Sequence, residues 1–312
     1  LGNREKLAGK WLEKLKKIDP AKDAQESDAQ ELAEAFTTYL RLCREDERAL
    51  STLPPGRFLM PGDLEGSPAL TFSPLEIEAD TKAGSESLHK MMRERFEAYK
   101  DVVVRPFFRE HFARLDRQIV LVDALQAINV GPEALADLEN ALAEILGCFK
   151  TGSSAWYNSL FSRKIDKILF AATKADHLHH ENHDRMEKLM EALVTKAIAQ
   201  ARYTGAKVDV VAMAAVRATK EAIIKQDGED FPVILGTPKK GEMIDGETFD
   251  GTSKTAIFPG DLPENPAQLL DIDTANDPEV DLRFVRFRPP LLEKSKDNLT
   301  LTLPHIRLDR AL

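Results

Sequence analysis

Lys167-Ile168-Leu169-Phe170-Ala171-Ala172-Thr173-Lys174-Ala175-Asp176 is the stretch that decides the fold. Its first six residues are mostly aliphatic and lack polar alternation, which predicts a strand covered on both faces of a sheet. The four that follow place a hydroxyl, an ammonium and a carboxylate just beyond the strand. In a doubly wound α/β sheet, ligands sit beyond the carboxyl ends of the strands. An Asp there can accept from two adjacent donors, the N1–H and 2-amino group on the edge of guanine. Adenine has an acceptor at N1 and no 2-amino group, so the same carboxylate would face an unmatched edge. A buried polar group left unpaired costs about 1–3 kcal/mol, enough to select a base. Lys174 is expected to lay its aliphatic stem across the purine face and send its ammonium toward the phosphates. Thr173 is expected to tie neighbouring loops through its hydroxyl, and His177 to border the base pocket.

The flanking sequence supports a parallel sheet. Arg117–Asp123 and Lys207–Met213 are further short runs of aliphatic and β-branched residues. Between the first two runs, Gly131-Pro132-Glu133 opens a helical pattern reaching Gly147, with Pro in its first turn. A second helix is expected from Asp184 to Arg202, where Asp184 and Glu187 have capping-box spacing and Gly205 follows as a stop. Strand, helix, strand, helix, strand is the pattern of crossover connections. After the third run, Ala214-Ala215-Val216-Arg217 provides small residues where a backbone N–H can approach a base. Ala215, Val216 and Arg217 therefore join Thr173, Lys174 and Asp176 as expected guanine-binding residues.

The phosphate half of such a site is missing from the sequence. A P-loop needs two glycines five apart followed by Lys and Ser or Thr. Gly147–Gly152, Gly241–Gly246 and Gly246–Gly251 have the glycine spacing, but none continues with Lys. Asp63-Leu64-Glu65-Gly66 spells a magnesium-side switch, yet no strand leads into it, and it reads as a turn. His177, His179, His180 and His183 crowd one segment, and His179 with His183 has the i, i+4 spacing of a zinc clasp. No Cys lies nearby and the segment reads as a loop, so no metal site is expected and the remaining histidines are read as solvated. Asp123, at the end of a strand, is read as a loop cap rather than a catalytic carboxylate, and the catalytic residues are expected upstream.

Residues 4–17 and 27–50 carry apolar side chains at helical spacing, and 85–114 returns to helix after a Pro/Gly-rich stretch at 51–75. Asp227-Gly228 is a hairpin signal inside 219–258, read as a small antiparallel insertion. The fold class is thus α/β, a parallel sheet with crossover helices, a helical region before it and an antiparallel β insertion after it. The expected divisions are a helical region 1–115, the α/β core 116–218, the β insertion 219–263 and a closing segment 264–312.

A net charge of −9 argues against a sequence-independent hold on a nucleic-acid backbone. No run approaches the ~20 apolar residues of a membrane span. Cys43 and Cys148 are far apart and unpaired in pattern, which points to a reducing, cytoplasmic setting. The abrupt first residues and the truncated helical look of 308–312 suggest part of a longer chain.

Nearly the whole chain resembles the YcjX-like family of bacterial P-loop nucleotide hydrolases associated with stress response. The stretches that carry the resemblance are PGRFLMPGDL (55–64), FREHFARLDRQIVLVDALQAINVGP (108–132), IDKILFAATKADHLHHENHDR (165–185), AMAAVRATKEAII (212–224), FPGDLP (258–263), FRPP (287–290) and PHIRLDRAL (304–312). The resemblance implies a Ras-like GTPase fold with a helical insertion, and a P-loop and Asp-x-x-Gly segment upstream of Leu1. It implies GTP or GDP as ligand, with Mg²⁺ held only when the upstream segment is present. The family's base-specifying motif falls on Thr173, Lys174 and Asp176, and its small-residue turn near Ala215 and Val216. Peripheral association with the inner membrane is compatible with it. Two other readings stay open: an interaction module that binds a protein partner through its helical region without hydrolysis, and an ATPase.

Overall fold

The computed structural model describes residues 2–45, 59–77, 84–110, 115–148, 167–201, 207–226, 228–270, 282–290 and 303–311. The chain divides into two compact units, one built on residues up to Leu115 and one on residues from Asp116 onward.

The first unit is helical. Helices α1 (Gly2–Lys17), α2 (Glu26–Glu45) and α3 (Leu88–Tyr99) form it. α3 runs through a π-helical turn (Lys100–Val104) into α4 (Arg105–Glu110). Leu32, Phe36 and Leu40 of α2 recur on one face, and they are buried with Phe72, Leu88, Met92 and Tyr99. Burying such side chains contributes roughly 1.5–3 kcal/mol each, which is what holds short helices together in water. Trp11 packs at the margin of this core and donates its indole N–H to Ser73 Oγ at 2.9 Å. Asp63–Gly66 lies in this unit as a 3₁₀ turn and the bend after it, with Glu65 N donating to Gly62 O, in keeping with its reading as a turn.

The second unit holds the parallel sheet. Strands β1 (Arg117–Val122), β2 (Lys167–Ala172) and β3 (Lys207–Ala212) lie in that order, in parallel register. α5 (Ala124–Val130) and α6 (Pro132–Cys148) connect the first pair, and α7 (His183–Ala201) lies between the second. α6 and α7 pack on each other, and Val120, Val122, Ile168, Phe170, Leu142, Leu189 and Leu193 are buried. On the other side, Ala171, Val211 and Met213 are buried against Leu308 and Ala311 of α8 (Leu308–Ala311). β1 departs from the double coverage its sequence predicts, since Leu121 is 67% exposed and Ile119 40%. Of its run of apolar residues only alternate positions, Val120 and Val122, are buried.

Beyond β3 the chain forms antiparallel ribbons. β4 (Lys220–Gln226) and β5 (Glu229–Gly236) pair around the expected turn, where Gly228 takes φ 89°. β6 (Met243–Ile244) and β7 (Glu247–Thr248) pair through Asp245 and Gly246, both at positive φ, and β8 (Thr255–Ile257) adds to β5. The spacings Gly241–Gly246 and Gly246–Gly251 belong to these ribbons and not to a strand-to-helix loop; Gly147 lies within α6, while Gly152 and Gly205 fall outside the described residues. No helix among the described residues is long and apolar enough to cross a membrane.

Candidate functional site

β1, β2 and β3 end level with one another, so the turns leaving them meet at one edge. Thr173, directly after β2, donates its N–H to Val122 O at 2.8 Å and its hydroxyl to the same oxygen at 3.1 Å. That is the loop-tying role expected of a hydroxyl there. Lys174 then turns the chain in the left-handed region (φ 63°, ψ 32°). A side chain in that region costs about 1–2 kcal/mol, so it persists only where the surroundings fix it. Two hydrogen bonds do so: His177 N to Lys174 O at 2.9 Å and Ala175 N to Met213 O at 3.1 Å.

The strained turn aims two side chains differently. The ammonium of Lys174 pairs with the carboxylate of Asp123, both side chains being more than a third exposed. Asp123 also accepts from Gln126 N at 3.1 Å, capping α5 as its strand-end position suggested. Asp176 points inward and is 4% exposed. Its Oδ2 accepts from Ala218 N at 2.7 Å, and its main-chain oxygen accepts from the Thr219 hydroxyl. A carboxylate has about four acceptor positions, so this bond leaves Oδ1 and further lone pairs for a ligand. Asp176 is therefore joined to the loop after β3, the second element that the sequence singles out.

That loop is itself held from a distance. Ala214 pairs with Ile306 in both directions, at 3.0 and 2.9 Å, and Arg217 N donates to Pro304 O at 2.7 Å. Ala215 and Val216 are exposed in the bend between these anchors. The Arg217 guanidinium folds onto its own loop, Nε to Thr219 O at 3.1 Å and Nη2 to Glu221 Oε1 at 3.0 Å. The structure thus brings Asp176 to Ala218 and Thr219, with Ala215 and Val216 on the same loop, and turns Arg217 toward β4.

Of the histidines that the sequence suggested to be solvated, His180 is exposed, whereas His179 and His183 are buried. His183 is buried, and its Nε2 donates to Ala175 O at 2.8 Å; a carbonyl only accepts, so Nε2 carries the proton. Burial holds the His183 pKa below its ordinary value, which keeps the imidazole neutral. The His177 ring meets Phe287 edge-on at 5.1 Å, and burial lowers its pKa too, against the opposing pull of Asp176. The expected capping box at Asp184 and Glu187 does not form. α7 begins one residue earlier, and Glu187 instead accepts from Ala212 N at 2.9 Å and pairs with Arg307 at 2.6 Å. The i, i+4 clasp of His179 and His183 also fails, because His183 is committed to Ala175 and His179 precedes the helix.

Several positioning residues escaped the sequence reading. Asn182, 1% exposed, donates to Asp261 Oδ1 at 2.7 Å and accepts from Leu262 N at 2.9 Å. Thr219, Phe287 and Ile306 likewise act on the site from far along the chain. Only a periodicity or turn signal could have marked them, and none of them carries one.

The family model described as the YcjX-like family, DUF463, matches residues 2–312. The Ras-like GTPase YcjX of Escherichia coli (strain K12) is 37% identical over 318 aligned positions, covering 100% of this chain and 63% of its own length. The Ras-like GTPase YcjX of Shewanella oneidensis is 31% identical over 264 positions, covering 83% of this chain and 51% of its own length. The chain spans less than two thirds of the curated relatives that it matches.

Proposed function

The chain belongs to the YcjX-like family, with the α/β fold of a Ras-like P-loop NTPase, and from that premise we propose that it carries the base-reading half of a guanine-nucleotide site in a GTPase. The observation that supports this best is the buried carboxylate of Asp176 with one bond spent on Ala218 N and acceptor capacity left over. Guanine N1–H and N2–H₂ would fill that capacity. Lys174 would cover the purine face with its stem, Thr173 would keep its turn on β1, and the bend at Ala215 and Val216 would offer backbone N–H groups to O6. Arg217 would act on the same loop, and His177 would border the pocket as a neutral ring.

Hydrolysis would belong to the whole protein. It depends on positioning the γ-phosphate, Mg²⁺ and a water, and the P-loop lysine such positioning needs has no counterpart in this sequence. Asp123 pairs with Lys174; phosphate oxygens would compete with it for that ammonium. Within this reading, residues 1–115 are a helical insertion ahead of β1, 116–218 the core, 219–263 a β insertion and 264–312 a segment that returns to the core. A cytoplasmic role in a bacterial stress response, with a protein partner on the helical region, completes it.

A second reading draws on the same bonds. Asp176 joins two loops through Ala218 and Thr219, and in that reading it staples them without touching a base. Calorimetric titration of the full-length protein with GDP, GTP and ATP separates the two. A preference for guanine of tenfold or more is expected; equal affinities would discard the guanine assignment and leave an ATPase or an interaction module. Turnover of GTP by the same preparation would exclude the module without hydrolysis.

A further inference from the structure

Two of the four histidines, His177 and His183, have roles in the turn that holds Asp176. The other two have none there. His179, His180 and Glu181 bring one ligand atom each to within 4.8 Å of the others. His179 is 5% exposed, and its Nδ1 is buried without a hydrogen-bond partner among the described residues, 3.7 Å from Glu181 Oε2. An unpaired buried polar atom costs about 1–3 kcal/mol, a cost removed when an ion takes its lone pair.

The His180 ring lies tilted against that of His179 with ring centres 4.3 Å apart, and its Nδ1 lies 2.9 Å from Glu221 Oε2. An ionised carboxylate only accepts, so Nδ1 carries the proton and Nε2 presents a lone pair. A carboxylate that fixes an imidazole tautomer in this way is the usual companion of a metal-ligating histidine. Glu221 is in turn held by Arg217 at 3.0 Å.

We propose that His179, His180 and Glu181 bind a divalent transition-metal ion of the zinc class, with Glu221 as the positioning residue for His180. Two imidazoles and a carboxylate suit zinc, and three protein ligands leave a fourth position for water. Zinc bonds of about 2.0–2.1 Å set tetrahedral ligand atoms roughly 3.3 Å apart, so a span of 4.8 Å must close by about 1.5 Å. His180 and Glu181 are both exposed, and rotation of their side chains covers that distance. The ion would join the turn after β2 to the first residues of β4 by way of Glu221. The proposal does not depend on which base Asp176 reads.

Titration of the chelator-stripped full-length protein with Zn²⁺ tests it, with Co²⁺ as a visible reporter of coordination geometry. One Zn²⁺ per chain is expected, with a cobalt absorption band typical of a four-coordinate N/O site. His180→Gln and Glu181→Gln, both at exposed positions, should each weaken binding at least tenfold. Glu221→Gln should weaken it about tenfold while its own oxygen touches no metal. His305→Gln should change nothing. Absence of binding by the wild type, retention of full affinity by His180→Gln, or an equal loss in His305→Gln would overturn the assignment.

Discussion

Asp176→Asn replaces one carboxylate oxygen by an amide NH₂ with almost no change in volume. Ala218 N–H, 2.7 Å from Oδ2, needs an acceptor, so the Asn carbonyl stays there and the NH₂ turns toward the ligand side. Guanine presents two donors to that side, and donor would meet donor. A hydrogen bond to a charged group is worth about 1.5–3 kcal/mol, and two are lost. Water entering beside the partly exposed Lys174 offsets part of this, so about 3 kcal/mol is expected, roughly 100-fold in affinity. Xanthine carries O2 in place of the 2-amino group and would accept from the new NH₂. The full-length variant should therefore bind GDP roughly 100-fold more weakly than the wild type and XDP more tightly than the wild type does, by calorimetric titration. The Ala218 bond survives, so its unfolding midpoint should stay close to the wild-type value. A variant that binds GDP within threefold of the wild type, or loses GDP without gaining XDP, would refute the base-reading role.

Lys174→Gly relieves a left-handed side chain at about 1–2 kcal/mol but adds Gly entropy of about 0.5–1 and removes a half-exposed ion pair of about 0.2–1 kcal/mol. Chemical denaturation should therefore place its stability within about 1 kcal/mol of the wild type, while nucleotide affinity falls at least tenfold. His177 and His183 have folded pKa values below the ordinary 6.5. Just below that pH the unfolded chain binds more protons than the folded one, so stability should fall as pH drops through about 6.5. Urea midpoints at successive pH values check this, and His183→Gln, which keeps a donor for Ala175 O, should flatten the dependence. Gly236→Ala puts a Cβ 2.5 Å from Phe287 Cδ1, a ring already fixed against His177. A loss of about 1–3 kcal/mol is expected on thermal unfolding.

What the sequence made legible follows from how local each signal is. The runs at 117–122, 167–172 and 207–212 are predominantly aliphatic and β-branched, and each forms a strand of the parallel sheet. Asp227-Gly228 signals the β4–β5 ribbon in the sequence, and Gly228 supplies freely the positive φ that a tight turn there needs. Asp184 and Glu187 misled, since a capping box is a local pattern and Glu187 is drawn away by Ala212 and Arg307. The i, i+4 spacing of His179 and His183 aligns side chains only within a helix, and α7 starts at His183. The bonds from Asp176 to Ala218, from Asn182 to Leu262 and from Ala214 to Ile306 span 42, 80 and 92 residues. No local pattern encodes a contact of that range, which is set by tertiary packing.

The pairing of Ala214 with Ile306 has a consequence in time. The bend at Ala215 and Val216 is anchored by residues made about 90 positions later, which at ~5–20 residues per second is roughly 5–20 s of synthesis. Through that interval a nascent chain can have its β1–β2–β3 sheet and its Lys174 turn but not a fixed second loop. Nucleotide present during translation would therefore be retained only after the closing segment is delivered, and a ribosome stalled before Pro304 would hold a chain that folds without gripping its ligand. On the base-reading proposal, ligand retention would report that synthesis has passed the closing strap, an order set by how the chain is made.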